Sequence, residues 1–266
     1  MRCTGARYTS QVKTIRAKFL TWRALIFHTY MSIPVFGMSE FDFRNALKKI
    51  KKAIIPVGSL EQHGSHLPVS TDSLIAEYIA RLVGERTGAF VLPVISYGVS
   101  FEHKPMFNVS LRNSTLSTVL CDACVSLAEN RIKQIVILNG HHGNMGALQY
   151  IAQELHGGIS RHVSVHTLHY WHALDHEFDH AGEVETSLVL AIAPELVRMD
   201  RAVPNSKRLS KSKAAYSSIT NAPGSFPKIT GNGVWGDPRK ASAEKGKKWI
   251  EKMVAGLAKT IAEFSS

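Results

Sequence analysis

The side chains able to do chemistry gather first in Gly58-Ser59-Leu60-Glu61-Gln62-His63-Gly64-Ser65-His66-Leu67-Pro68, followed by Thr71-Asp72. A glutamate, two histidines and an aspartate in so short an irregular stretch offer carboxylate and imidazole donors together. That mixture suits a borderline divalent cation such as Zn²⁺. An apolar run over 53–58 leads into the stretch and reads as a buried strand. Strands that deliver polar side chains into a loop at their carboxyl ends are how α/β enzymes build sites. The chemistry implied is metal-dependent hydrolysis, and other parts of the chain must supply the remaining ligands.

Three later segments offer them: Ser100 and His103; His141 and His142 within Asn139-Gly140-His141-His142-Gly143-Asn144; and His180, Glu183 and Glu185. Singly each means little, because a lone histidine is more often a hydrogen-bonded surface or core residue. Jointly they matter, because each follows a run that reads as a strand. In a parallel sheet consecutive strand ends point the same way, so the segments can converge on one edge.

The elements that must position them follow from periodicity. Apolar runs at 53–58, 89–95, 134–139 and 163–168 predict strands. Leu74, Ile75, Ile79, Leu82 and Val83 recur at helical spacing and predict a helix over 72–87. Leu116, Val119, Leu120, Ala123, Cys124 and Leu127 do the same over 114–131. Ser39-Glu40-Phe41-Asp42 resembles a capping box, with Asp in place of Glu, for a helix to residue 50. Further helices are expected from 144 to about 155, over 183–192, and at the end of the chain to about 264. Strands alternating with helices argue for a mainly parallel sheet covered on both faces, a three-layer α/β/α sandwich.

At 266 residues and 44% apolar composition the chain can hold a sizeable core. It has no apolar run of the roughly 18–20 residues that a membrane helix needs. The net charge of +11 divides into +6 over residues 1–30, +5 over 198–213, and zero elsewhere. Basicity so confined argues against a nucleic-acid-binding face, although the second segment could attract an anionic group such as phosphate. Three cysteines make no disulfide framework, so a reducing, cytoplasmic setting is expected. Cys121 and Cys124 lie inside a helical pattern and read as small core residues. Residues 1–30 have the composition of a transit peptide, or of an over-long reading frame whose start is Met31. They are set aside, and a single domain over 31–266 is expected, with a long loop over 203–238.

The three motifs, in this order and at these spacings, resemble the creatininase family from about residue 40 to 260. The resemblance implies an α/β fold, homo-oligomers that are often hexamers, and two adjacent divalent ions, Zn, Mn or Fe. By motif, Glu61 and His141 would bind one metal and His63 the other, with Asp72 bridging both. Creatinine amidohydrolases place a further carboxylate ligand two residues after the metal-binding histidine. Here that position is Gly143, and Glu183 is expected to replace the ligand from another strand end. His180 falls on the family's catalytic histidine and is expected to be the general acid, tuned by Asp179 and flanked by Glu183. Ser100, His142 and Asp179 are expected to meet the substrate, and His66 to be structural or to support a ligand from behind. The implied reaction is hydrolysis of a non-peptide C–N bond in a small cyclic amide or formamide. With the basic segment in mind, a formamidopyrimidine nucleotide deformylase of riboflavin or deazaflavin biosynthesis is the first expectation. Creatinine hydrolysis, a mycofactocin-type peptidase, and an inactive scaffold or nucleic-acid binder are the alternatives.

Overall fold

Strand β2, Lys52–Val57, is buried along almost its whole length, which requires cover on both faces of the sheet. The computed structural model describes residues 33–174, 179–205 and 222–264, and residues Ile33–Ser266 form one compact unit. The expected N-terminal extension, residues 1–30, lies outside the described residues, as does the second half of the basic segment, 206–213.

Five parallel strands pair in the order β1-β3-β2-β4-β5, where β1 is Ile33–Pro34, β3 Phe90–Val91, β4 Gln134–Asn139 and β5 Ser164–His169. The two-residue alternation of strands sorts their side chains between two cores. Ala53, Ile55, Val57, Ile135 and Ile137 join helices α1 (Glu40–Leu47) and α3 (Asn113–Glu129) on one face. Ile54, Val136 and Leu138 join helices α2 (Thr71–Thr87), α6 (Glu183–Ile192) and α8 (Ala243–Glu263) on the other. The fold is the three-layer α/β/α sandwich expected.

Helix α1 carries the expected capping box. Ser39 Oγ accepts from the Asp42 N–H at 3.2 Å, and Asp42 accepts from the Ser39 N–H at 3.1 Å.

Two expected elements are broken. The 89–95 run keeps only Phe90–Val91 as strand because Pro93 has no N–H to give the ladder. Pairing with β2 nevertheless resumes at Ile95, whose N–H reaches Pro56 O at 2.9 Å. The helix expected over 144–155 is two short pieces, α4 (Met145–Leu148) and α5 (Ile151–Glu154), parted where Tyr150 leaves helical geometry at φ −112°. Short helix α7, Ser225–Thr230, lies within the stretch expected to be loop. Among the described residues, no helix is long and apolar enough to cross a membrane.

Candidate metal centre

Close approach of α2 to the end of β2 assembles the first half of the site. A Cβ on Gly58 would lie 2.5 Å from Ser73 N, so only glycine lets the start of α2 pack so tightly there. This packing sets Asp72, in the first turn of α2, beside the loop carrying Glu61 and His63. The positive end of the helix dipole favours an anion at that position. His141 follows β4, and its backbone is pinned on both sides by the Asn139 amide, at 2.8 and 3.1 Å. Asn144 ties three loops together, donating to Gly58 O at 3.0 Å and accepting from the Val99 N–H at 2.8 Å. His180 is held through its backbone, which exchanges hydrogen bonds with Trp235 at 3.0 and 2.7 Å.

The side chains converge as strand-end geometry predicts. Asp72 faces both halves of the cluster, with Oδ1 3.2 Å from His63 Nε2 and Oδ2 3.0 Å from His141 Nδ1. Glu61 Oε2 lies 3.2 Å from His141 Nε2, and its Oε1 lies 3.1 Å from His103 Nε2. Glu185 Oε2 is 3.6 Å from His63 Nε2. Glu61, His63, Asp72, Glu102, His103, His141, His180 and Glu185 are all buried. Among the described residues, every ion-pair contact of the four carboxylates is to a histidine, and no lysine or arginine joins them. Glu102 Oε2 is buried with no hydrogen-bond partner, and Glu61 Oε1 and Asp72 Oδ2, both buried, meet only imidazole nitrogens, nearest those of His103 and His141. Buried carboxylates are costly, and a divalent cation would offset the charge that these imidazoles only partly balance. Among the described residues, four sets of donor atoms are close enough together to share an ion, including Glu61, His63 and Asp72; His63, His180 and Glu185; and Glu61, Glu102 and His141.

The protein's own groups perturb one another strongly. Burial opposes protonation of His63, but Asp72, Glu185 and Glu61 outweigh it and hold the imidazole at about 10. Burial likewise opposes protonation of His141, and Glu61 and Asp72 raise it well above the usual range. Burial pushes Glu185 up to about 8 and Glu102 up to about 7, against the pull of His63 and His141 respectively. His180 goes the other way. Burial, together with His63 and His103, keeps its imidazole well below the ordinary histidine value, and so neutral at pH 7.

The structure differs from expectation at one glutamate. Glu183 turns away from the cluster and pairs with Lys245 of α8 at 2.6 Å. Glu185, two residues on, faces the site instead, and its Oε2 accepts from the Ala181 N–H at 2.6 Å. A second carboxylate, Glu102, went unrecognised as a site residue in the sequence. It sits in the 3-10 turn Phe101–His103, and a Cβ on Gly143 would lie 2.6 Å from its Oε1. Glu102 thus lies where a side chain at 143 would begin.

Of the expected substrate contacts, Ser100 is fully buried beside this turn, with its hydroxyl unpartnered. His142 stands 5.9 Å from Trp171 between ring centroids, and burial pushes it down to about 4, helped by His141, His169 and His172. Asp179 caps α6, accepting from the Gly182 and Glu185 N–H groups at 3.1 and 3.3 Å. His66 is buried and bonds Thr186 at 3.0 Å. His141 Nε2 also lies 2.9 Å from the Val99 carbonyl, which holds the ring in place.

Residues 37–261 match the creatininase family, described as creatinine amidohydrolase. The chain belongs to the creatininase family. Creatinine amidohydrolase of Pseudomonas putida is 29% identical over 79% of this chain and 88% of its own length. The mycofactocin precursor peptide peptidase of Mycolicibacterium smegmatis is 31% identical over 90% of this chain and 95% of its own. A crystal structure of creatinine amidohydrolase superposes with a TM-score of 0.73 at 27% identity, covering 88% of this chain and 98% of that one. This creatininase-family chain carries Glu61, His63, Asp72 and His141 together at one sheet edge.

Proposed function

We propose that the protein is a dinuclear, metal-dependent amidohydrolase that cleaves a C–N bond of a small substrate. The observation that carries this is the buried set of four carboxylates and four imidazoles, with one Glu102 oxygen left unpartnered and, among the described residues, no lysine or arginine paired with them. Glu61, Glu102 and His141 would hold one ion, and His63 and Glu185 the other. Asp72, facing both halves, would link them. Divalent cations held there supply Lewis-acid polarisation of a carbonyl and an acidified water. His180, kept neutral by its surroundings, is free to move a proton between the attacking water and the departing nitrogen. Asp179 acts at one remove, through the α6 cap that holds Glu185 in place. His142 and Trp171 form a side wall for the substrate. Zn and Mn are the cations to test first, since related creatininase structures are described as the Mn form and, for a variant, as Zn-Zn type.

For the substrate, peptide-bond cleavage gains weight beside creatinine, because the peptidase relative covers nearly all of both chains. The deformylase relative from Methanothermobacter thermautotrophicus, 33% identical, covers 57% of this chain. Metal-loaded protein should be assayed against creatinine, a formamidopyrimidine nucleotide and a short peptide amide. Turnover of one of them, abolished by chelator and restored by Zn²⁺ or Mn²⁺, is the expected result. Turnover that survives complete metal removal would overturn the reading.

A further inference from the structure

Gln62 lies between two site residues, yet its side chain faces two histidines. Its amide orientation is fixed by the chain itself, because Oε1 accepts from the Gly64 N–H at 2.9 Å. Nε2 is therefore the end that meets Gly233 O at 3.0 Å, His103 Nδ1 at 2.9 Å and His180 Nε2 at 3.2 Å. A side-chain amide has two protons, so three contacts cannot all be donations from it. His180 Nε2 has a further neighbour, the backbone carbonyl of Gln62 at 3.2 Å. Carbonyl oxygens only accept, so a proton on His180 Nε2 serves that bond, and the amide keeps its two protons for Gly233 and His103. One assignment then leaves every donor used.

We propose that Gln62 is a positioning residue that locks His103 and His180 as Nε2–H tautomers. Its side-chain amide donates to Nδ1 of His103, and its backbone carbonyl accepts the Nε2 proton of His180. The tautomer of a histidine is set by the bond its other nitrogen makes, so each assignment fixes what the ring offers the site. His103 turns its proton toward Glu61, whose Oε1 lies 3.1 Å from Nε2. His180 turns an unprotonated Nδ1 toward the cluster, 3.9 Å from Glu61 Oε1. In the resting protein His180 is accordingly a proton acceptor. It takes the proton of the attacking water on Nδ1 and returns the same proton to the departing nitrogen, so protons balance over the cycle. Phe226 closes the far side, with its ring centroid 4.6 Å from His103 and 4.7 Å from His180, which restrains both rings from turning over.

The kinetic consequence rests on the amidohydrolase reading; the tautomers do not. The test is the two-bond proton–nitrogen spectrum of Zn²⁺-loaded protein labelled with ¹⁵N-histidine. Expected is the Nε2–H pattern for both His103 and His180; an Nδ1–H pattern for either would overturn the assignment. Gln62→Met keeps the chain length and removes the donor. In that variant His103 should show mixed tautomers while His180 keeps Nε2–H. kcat should fall about tenfold, a fraction of the 10²–10⁴ that proton transfer is worth. Metal content and KM should hold. An unchanged His103 spectrum in that variant would remove Gln62 from the role, and the wild-type spectrum decides the tautomers whether or not the variant folds.

Discussion

Replacing Gly143 by alanine puts a methyl group where the structure has already placed other atoms. The added Cβ would stand 2.5 Å from His141 Nε2 and 2.6 Å from Glu102 Oε1, with the Val99 carbonyl in contact as well. Ordinary van der Waals contact for carbon is roughly 3.5–4.0 Å, so each neighbour must retreat by about 1 Å. The Val99 carbonyl is backbone and anchors His141, so the imidazole and the glutamate have to move. Overpacking of this kind costs about 1–3 kcal/mol. At roughly 2–4 °C per kcal/mol for a domain of this size, Tm should drop by about 2–12 °C. Displacing groups that hold or orient a ligand should weaken the metal site next to His141 by about 10–100-fold, or roughly 1.4–2.7 kcal/mol. The site formed with Glu185 and His63 should be affected less. Competitive titration with a chromogenic chelator, alongside calorimetry of the metal-free protein, measures both effects. Unchanged affinity and Tm would refute the account of why residue 143 is glycine and would free Glu102 from its assigned place.

The two glutamates of α6 should separate cleanly. Glu185→Gln should lose one metal equivalent, whereas Glu183→Gln should retain both and cost at most about 1 kcal/mol from its surface pair with Lys245; elemental analysis and thermal melts report each. Metal-free protein should lose stability as pH rises from 7 to 10. His63, Glu185 and Glu102 have folded values of about 10, about 8 and about 7, all raised above their ordinary 6.5, 4.5 and 4.5, so the folded state holds protons that the unfolded chain has released. A Tm series in chelator should show that fall, and a Tm that climbs over the same range would contradict the charge arrangement. Burial pushes the Cys124 thiol up to about 12, so alkylation at pH 8 should leave it unmodified until denaturant is added, as peptide mass mapping would show.

Much of this was legible in the sequence because a parallel sheet converts strand order into spatial convergence. Glu61, His63 and His141 follow β2 and β4 directly, so naming the strands placed them. Asp72 was legible through its place in the motif, and the folded chain adds that Gly58 lets its helix start come close. Glu102 was hidden for two reasons. Pro93 breaks the strand before it, and its meeting with Gly143 joins residues 41 positions apart in sequence through a contact only the folded chain reveals. The choice of Glu183 over Glu185 had a readable remedy. Leu188 and Val189 are buried, and they lie three and four residues beyond Glu185, which puts Glu185 on the inward face of α6. Glu183 shares its face with Ser187, whose hydroxyl donates to Glu183 O at 2.6 Å, at the side where α8 brings Lys245. The role of Gln62 was not legible, because it depends on which way an amide points.

The central claim is that the buried carboxylate–histidine cluster is a two-metal site. Its most direct test is the metal content of the full chain after loading with Zn²⁺ or Mn²⁺ and gel filtration, counted by mass spectrometry of the elements. The account predicts two ions per chain, falling to one in Glu185→Gln and to none in Asp72→Asn. Fewer than one ion per wild-type chain, or two that persist in both variants, would contradict it.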